Sequence, residues 1–326
     1  MNNLKKVGLS ALAGSLAMVS AHAGDFTVTG GAEATYTSKS GDDTTNPFGM
    51  SHNIKFTGSG DVNGIGWTVF SDTAGQDFAT DSSALTLDFG DLGTLAIEQG
   101  ADSSGIGSLA NNTPTAYEEA DHNVAKLGDG LDVAGDTTVI AYNTDVSGLG
   151  ISVEWNPTTG NTGATQAGGV AGSTKSNTGS NINYAMKYSM GGVDLALGQS
   201  QTNYSVAGTP DDSELTYSVN WAMGPVKMGF QKSDIDTGVS TASDYKVTAI
   251  GVAFNVNENL SISYGISDNK VQNGTNVGIA EENEGINAAY SMGSAALRAS
   301  LNSSDNVGGV SGAKAEAMEI SLNLTF

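Results

Sequence analysis

A short acidic run near the middle of the chain is the part best suited to chemistry. It contains Glu118, Glu119 and Asp121 and ends on His122. Carboxylates beside an imidazole could hold a metal ion, because both groups are common metal ligands. The alternative is an ordinary solvated acidic loop, which is the commoner situation for such a run.

Catalysis and cofactor binding have little further support in the sequence. Catalysis needs a base beside a nucleophile, and the chain has no cysteine and, after residue 23, only one other histidine, His52. The segment 105–110 fits a G-x-G-x-x-A dinucleotide pattern, but no strand-turn-helix context surrounds it, so we interpret it as a coincidence. Calcium is the one cofactor considered, although the spacing of its candidate oxygen ligands matches no EF-hand loop. Those candidates are Asp129, Asp132 and Asp136.

The net charge excludes several classes of partner. The chain carries −22 at pH 7, with 35 acidic against 13 basic residues. Nucleic acid would be repelled by that field, so no nucleic-acid partner is expected. Because cysteine is absent, no disulfide framework is available, and the fold must be stabilised by burial or by a membrane.

The first 23 residues predict a cleaved secretory signal peptide. Lys5 and Lys6 form a basic start, an apolar stretch follows, and a small-x-small cleavage site ends at Ala23. An N-terminal membrane anchor fits less well, because the apolar run is too short to span a bilayer. We therefore predict an exported chain with one domain, residues 24–326.

The elements that must position these residues are β-strands. From Met318 to Phe326 every second side chain is apolar and those between are polar. Successive side chains of a strand point to opposite faces, so this segment has one apolar and one polar face. The pattern recurs along the chain, and after residue 23 no apolar run is long enough for a transmembrane helix. Sixteen strands are predicted, at 26–36, 52–60, 65–71, 84–90, 94–99, 137–144, 150–155, 181–188, 193–199, 214–221, 226–231, 245–254, 260–266, 285–290, 295–301 and 316–326.

The connections predict how the strands are arranged. Seven tight turns rich in Gly and Asn alternate strictly with eight long loops, and such turns suit short hairpins. In an up-and-down barrel this alternation places all the short turns at one rim. The long loops are 37–51, 72–83, 100–136, 156–180, 200–213, 232–244, 267–284 and 302–315.

A closed barrel in a membrane explains these patterns better than a soluble β-sandwich. A sandwich would bury its apolar face and would have no reason to sort its loops by length. A transmembrane barrel has an apolar outer band, a polar lumen, short periplasmic turns and long external loops, and its closure leaves no unpaired edge in hydrocarbon. Aromatic residues also fall near both strand ends, for example Trp221 near a short turn and Trp155 near a long loop.

The chain from residue 24 onward resembles the general porins of the Gram-negative outer membrane, particularly those of alphaproteobacteria. The resemblance rests on the signal ending at Ala23, the sixteen strands, the loop alternation and the terminal segment 322–326. It implies an all-β fold, a closed 16-stranded antiparallel transmembrane barrel whose long third loop folds into the lumen. It also implies a homotrimer surrounded by outer-membrane lipid and lipopolysaccharide, and assembly by the barrel-assembly machinery through Phe326.

If the third loop, 100–136, folds inward as in these porins, its charge lies inside the pore. The loop carries seven acids and one base. A water-filled passage with low-dielectric walls would concentrate cations there. The alternative is a solvated loop outside the barrel. The expected constriction residues are Glu118, Glu119, Asp121, Asp102 and Lys126 from the loop and Lys55 from the facing wall.

The wall of the expected pore departs from the family pattern. Family porins usually oppose the acidic loop with arginines on early strands, but this chain has one arginine, Arg298, on the fifteenth predicted strand. Cation preference is therefore better supported than a strong transverse field. Strand phase predicts the following lumen-facing charges: Glu33, Asp88, Glu98, Glu154, Lys187, Asp194, Lys227, Arg298 and Glu319.

Together these features predict a passive, water-filled outer-membrane diffusion channel for small hydrophilic solutes and ions, with a preference for cations. Two alternatives stay open, a substrate-specific channel of the same fold and a non-conducting adhesin or structural barrel. No enzyme activity is expected.

Overall fold

The structure is a computed structural model, and the signal segment predicted for residues 1–23 lies outside the part of the chain that it describes. The described residues are 24–40, 46–74, 79–100, 104–125, 127, 131, 138–157, 179–204, 210–238, 244–273 and 277–326.

Sixteen antiparallel strands form a closed barrel in which each strand pairs with its neighbours in the chain. The ring closes where β1 pairs with β16, for example with Gly31 opposite Thr325. The predicted fold class is therefore confirmed. The strands are β1 Asp25–Lys39, β2 Phe48–Val62, β3 Ile65–Ala74, β4 Ala79–Asp88, β5 Thr94–Gln99, β6 Thr138–Val146, β7 Leu149–Asn156, β8 Ser180–Met190, β9 Val193–Asn203, β10 Asp212–Met223, β11 Val226–Asp236, β12 Tyr245–Asn255, β13 Leu260–Val271, β14 Ala280–Met292, β15 Ala295–Asp305 and β16 Lys314–Thr325.

Alternation of apolar and polar residues produces a barrel that is apolar outside and polar inside. On β5, Ile97 is 49% exposed while its neighbour Glu98 is 5% exposed. On β7, Trp155 is 46% exposed and Glu154 is 6% exposed. This is the reverse of a soluble protein, and it suits a surface that faces lipid and a lumen that faces water.

The short connections are built from residues that accept a positive φ. Between β2 and β3 the turn is made by Asn63, at φ 56°, and Gly64, at φ 82°. Two successive residues of this kind match the twist of the flanking strands. The carboxylate of Asp61 accepts a hydrogen bond of 3.0 Å from the Gly64 amide, which stabilises the turn further.

Each predicted strand is present, but several extend further toward the long loops. β13 runs to Val271 and β14 begins at Ala280, whereas the sequence predicted ends at 266 and 285. The predicted loop 72–83 is correspondingly short, because β3 ends at Ala74 and β4 begins at Ala79. These outer strand ends carry polar residues on both faces, so their hydrophobic alternation is weak.

Helical structure among the described residues is limited to three short 3-10 turns, at 90–92, 106–109 and 307–309. None of the helices in this part of the chain is long and apolar enough to cross a membrane.

Candidate functional site: the third loop on the inner wall

The described part of the third loop, residues 104–125, follows the inner wall of the barrel. Along this path it exchanges hydrogen bonds with inward-facing polar side chains of successive strands. The wall residues are Ser152 on β7, Asn183 on β8, Ser218 and Asn220 on β10, Gln231 on β11, Ser263 on β13, Asn287 on β14, Asn302 on β15 and Glu319 on β16.

The loop begins with a 3-10 turn whose two apolar side chains are buried inside the barrel. Ile106 and Leu109 are 0% and 1% exposed. Gly105 precedes the turn at φ 54°, and a Cβ there would lie 1.7 Å from the amide oxygen of Asn183. Glycine is therefore required by both its conformation and its packing. The G-x-G-x-x-A pattern thus begins a loop anchor and has no dinucleotide context.

The middle of the loop is held at Asn112. Its backbone amide donates to Gln231 Oε1 at 2.5 Å, and its Nδ2 donates to Ser218 Oγ at 2.7 Å. The carbonyl of Asn112 accepts from Asn220 Nδ2 at 2.9 Å, and Gln231 Nε2 donates to the carbonyl of Leu109 at 2.8 Å. Main-chain groups are thereby paired with the wall, so this segment has a defined position.

A row of glycines on four adjacent strands makes room for the loop. Gly229, Gly251, Gly265 and Gly285 are cross-strand partners in that order. A Cβ at Gly251 would lie 2.6 Å from the carbonyl oxygen of Pro114. The loop backbone therefore occupies the space that side chains would fill elsewhere on the wall.

The acidic run forms a turn that two asparagines hold against the wall. Asn287 accepts from the Glu118 amide at 3.3 Å and donates to the Glu118 carbonyl at 2.9 Å. Asn302 Nδ2 donates to the carbonyls of Glu119 and His122 at 3.1 and 2.8 Å. The backbone of the predicted constriction acids is thus fixed, while the side chains of Glu118, Glu119 and Asp121 are half-buried.

A polar cluster joins this turn to the seam between β1, β16 and β15. The hydroxyl of Tyr117 donates to Glu319 Oε1 at 2.7 Å. Arg298 lies with Nη1 3.9 Å from Glu33 Oε1 and with its guanidinium 5.4 Å from the Tyr117 ring centroid. Burial raises the pKa of the Tyr117 hydroxyl, and its hydrogen bond to Glu319 raises the pKa further. Tyr117 therefore stays protonated and remains a donor.

His122 lies between two carboxylates. Its Nδ1 is 3.3 Å from Glu118 Oε2, and its Nε2 is 3.6 Å from Glu319 Oε2. Burial raises the pKa of Glu118, and the nearby imidazole of His122 acts in the opposite direction. The ligand atoms of these three residues lie within 4.8 Å of one another. The sequence placed Glu118 beside His122 but gave no sign that Glu319 would join them.

Several residues predicted for the constriction or for calcium lie outside the described part of the chain. They are Asp102, Lys126, Asp129, Asp132 and Asp136. Lys55, the predicted wall partner, lies on β2 opposite Asp72 of β3. Its Nζ is 3.8 Å from the Phe70 ring centroid, so its charge lies over an aromatic face of the wall.

Some of the predicted lumen charges hold the loop in place. Ser104 Oγ donates to Glu98 at 2.8 Å, and Lys187 Nζ donates to the Ser108 carbonyl at 3.0 Å. Glu154 accepts from Asn183 Nδ2 at 3.0 Å, on the same amide that binds the loop.

The other predicted lumen charges lie near the rim of the short turns. Asp88 accepts from the Gly90 amide at 2.8 Å and so stabilises a turn. Asp194 and Lys227 line a recess together with Asn220.

Sequence reasoning missed three acids that share the inner wall, Asp72, Glu214 and Glu281. Glu281 is 0% exposed and accepts hydrogen bonds from the amides of Leu127 and Gly308. It fell in a predicted loop because the predicted β14 began too late. Extending the strand phase back from Asn287 would have placed Glu281 inside.

A closed barrel with an apolar exterior, a polar interior and a loop along its inner wall defines a transmembrane channel of the porin type. The chain belongs to the Gram-negative porin family, whose sequence model matches residues 8–309. It is therefore a bacterial outer-membrane protein, and its family and fold are those of diffusion channels.

Solved structures show the same fold at low sequence identity. OmpF of Salmonella typhi, in a complex with daunomycin, is similar with a TM-score of 0.69 and 10% identity over 93% of this chain and 98% of that chain. OmpT of Vibrio cholerae has a TM-score of 0.66 and 10% identity over 93% and 98%. A mutant of Rh. blastica porin has a TM-score of 0.63 and 13% identity over 93% and 100%. Among curated proteins, none matches the sequence significantly.

Proposed function

We propose that this protein is a passive, water-filled diffusion channel for small hydrophilic solutes that prefers cations. The observation that carries the proposal is the acidic turn of the third loop. Its residues Glu118, Glu119 and Asp121 are held on the inner wall by hydrogen bonds to their backbone or to that of adjacent residues. Fixed negative charge inside a passage with low-dielectric walls raises the local concentration of cations.

Basic side chains near the loop are engaged, which supports the same sign of selectivity. Arg298 is within ion-pair distance of Glu33. Lys187 donates to the loop backbone, and Lys55 lies over Phe70. The acids of the turn therefore face no ladder of cations like the one that family porins usually carry.

The reversal potential across a planar bilayer under a salt gradient tests the charge argument. The wild-type channel is expected to give a cation-selective value. The triple variant Glu118→Gln, Glu119→Gln, Asp121→Asn is expected to shift that value toward zero while leaving the channel conducting. The matched control removes three outward-facing acids, with Glu282→Gln, Glu284→Gln and Glu316→Gln, and should leave it unchanged. An anion-selective or non-selective wild type would remove the charge argument.

The same recordings separate the two alternative functions. A substrate-specific channel would be blocked by one ligand at low concentration, whereas a general channel would not. An adhesin or structural barrel would give no stepwise current at all.

The proposal includes the surroundings of the channel. Residues 1–23 would be removed on export, the short turns would face the periplasm, and the long loops would face outward among lipopolysaccharide. Three copies would form a homotrimer, and the segment ending at Phe326 would direct assembly by the barrel-assembly machinery. The placement of Phe326 against Gly30 of β1, with both main-chain hydrogen bonds near 3 Å, is compatible with a role in closing the barrel.

A further inference from the structure

We propose that Glu118, His122 and Glu319 form a binding site for a divalent transition-metal ion, for which Zn²⁺ is the probe. The site joins a turn of the third loop to β16. Its existence depends on side-chain geometry alone, and only its effect on conduction depends on the proposed channel function.

The first observation is an unpartnered nitrogen inside the cluster. His122 Nε2 is buried and has no hydrogen-bond partner among the described residues. It points toward Glu319 Oε2, at 3.6 Å, which is too long for a hydrogen bond. A buried imidazole nitrogen without a partner is costly unless something binds it.

The second observation is the spacing of the ligand atoms. Zinc binds imidazole nitrogen and carboxylate oxygen at about 2.0–2.2 Å, so two such ligands in tetrahedral geometry are separated by roughly 3.4 Å. The 3.6 Å between His122 Nε2 and Glu319 Oε2 therefore leaves room for an ion between them. All three ligand atoms lie within 4.8 Å of one another, so Glu118 can complete the set with a small side-chain rotation.

The surrounding residues hold the ligands in place. Glu319 is 8% exposed, and its two oxygens accept from Tyr117 at 2.7 Å, Thr37 at 3.0 Å and Asn123 at 3.0 Å. The backbones of the other two ligands are held by the asparagines of β14 and β15 described above. Groups that orient ligands in this way raise metal affinity. When an ion binds Glu319 Oε2, the Asn123 donor on the mobile side of the contact is the one that gives way.

The donor set selects the class of ion. Imidazole suits zinc, copper, nickel and iron, whereas calcium and magnesium take oxygen ligands. Two carboxylates neutralise the charge of a divalent ion, and three protein ligands leave a position open for water. The competing state without metal is a protonated His122 paired with both glutamates.

Calorimetric titration of the detergent-folded protein with Zn²⁺ tests the site. Saturable binding of one ion per chain is expected, with a Kd at least about tenfold higher in both His122→Asn and Glu319→Gln. Titration with Ca²⁺ should show weaker binding than Zn²⁺. The matched control is His52→Asn on β2, which removes the other histidine of the barrel and should bind Zn²⁺ as the wild type does.

Three results would overturn the site: no saturable Zn²⁺ binding, equal binding by His122→Asn, or loss of binding in the His52→Asn control. If His122→Asn does not fold, Glu118→Gln decides the question in its place. As a spectroscopic check, Co²⁺ should give a visible absorption band of low-coordinate geometry that added Zn²⁺ removes.

The effect on conduction is measured separately. If the channel function holds, Zn²⁺ at concentrations near its Kd should reduce cation preference in the wild type but not in His122→Asn. Zinc binding without any change in current would leave the metal site standing and would count against the role of this turn in the pore.

Discussion

Arg298 lies where β15, β1 and the third loop meet, and it is the one arginine of the sequence. It is 3.9 Å from Glu33 and close to the ring of Tyr117, whose hydroxyl binds Glu319. A guanidinium keeps its charge at any relevant pH and can stack on an aromatic face. It therefore compensates acids that would otherwise repel each other in a confined space.

Replacing Arg298 by Gln should increase cation preference and weaken the hold on the loop. The substitution removes a positive charge from beside Glu33, so the reversal potential should move further in the cation direction. The matched control is Lys314→Gln, which removes the same charge from an exposed ion pair with Asp305 at 2.8 Å and should leave the potential unchanged. A shift toward anions in Arg298→Gln would contradict the assignment.

At the scale of residues, the sequence predicted faces but not partners. Strand phase placed Glu33, Arg298 and Glu319 on one side of the sheet, because alternation depends only on local geometry. It could not show that Tyr117 and His122 would meet Glu319, because that contact depends on the path of the loop across the lumen. Tyr117 carried no signal of its own in the sequence.

At the scale of elements, the glycine row decides how close the loop comes to the wall. Gly251→Ala should displace the loop, because the added Cβ would lie 2.6 Å from the carbonyl oxygen of Pro114. The expected results are a changed single-channel conductance and faster cleavage of the loop by protease. The control is Gly265→Ala, whose Cβ would lie 3.5 Å from that of Ala120, an ordinary contact.

Both substitutions replace glycine by alanine in neighbouring strands, so their effects on strand propensity are matched. Equal conductance in the two variants would show that the loop is not seated on the glycine row. A large change in Gly265→Ala alone would place the close contact elsewhere.

The existence of the strands could be predicted, but their lengths and the loop's position could not. Alternation is strong where one face is apolar, and it fades at the outer ends where both faces are polar, as in β14 before Gly285. The glycine row was visible in the sequence as inward-phase glycines in four strands. Its meaning depends on cross-strand register, which fixes Gly251 opposite both Gly229 and Gly265.

At the scale of the whole molecule, the outward faces determine how the protein can be handled. Large apolar side chains such as Leu195, Leu197 and Leu301 are 44–56% exposed. Exposed apolar surface on this scale requires lipid or detergent to cover it. Sedimentation should show a defined species in detergent and aggregation after its removal. A monodisperse protein in plain buffer would contradict the membrane assignment.

The closed barrel could be predicted from the sequence because the same signal is repeated in sixteen strands and seven turns. Each strand alone is ambiguous, since a half-buried strand of a soluble sheet has the same alternation. Sorting of connections by length removed that ambiguity. The sign and size of any selectivity stay outside such reasoning, because they depend on where the charged loop lies.

The seating of the third loop on glycine also bears on how sharply solutes are sorted by size. Where an aperture is bordered by long side chains, rotamer changes let it breathe by an ångström or more. Here the border near Pro114 and Ala120 is main chain resting on main chain, with asparagine amides as fasteners. A rim of that kind has few low-energy alternatives, so it acts as a stiff sieve with a narrow cutoff in solute diameter.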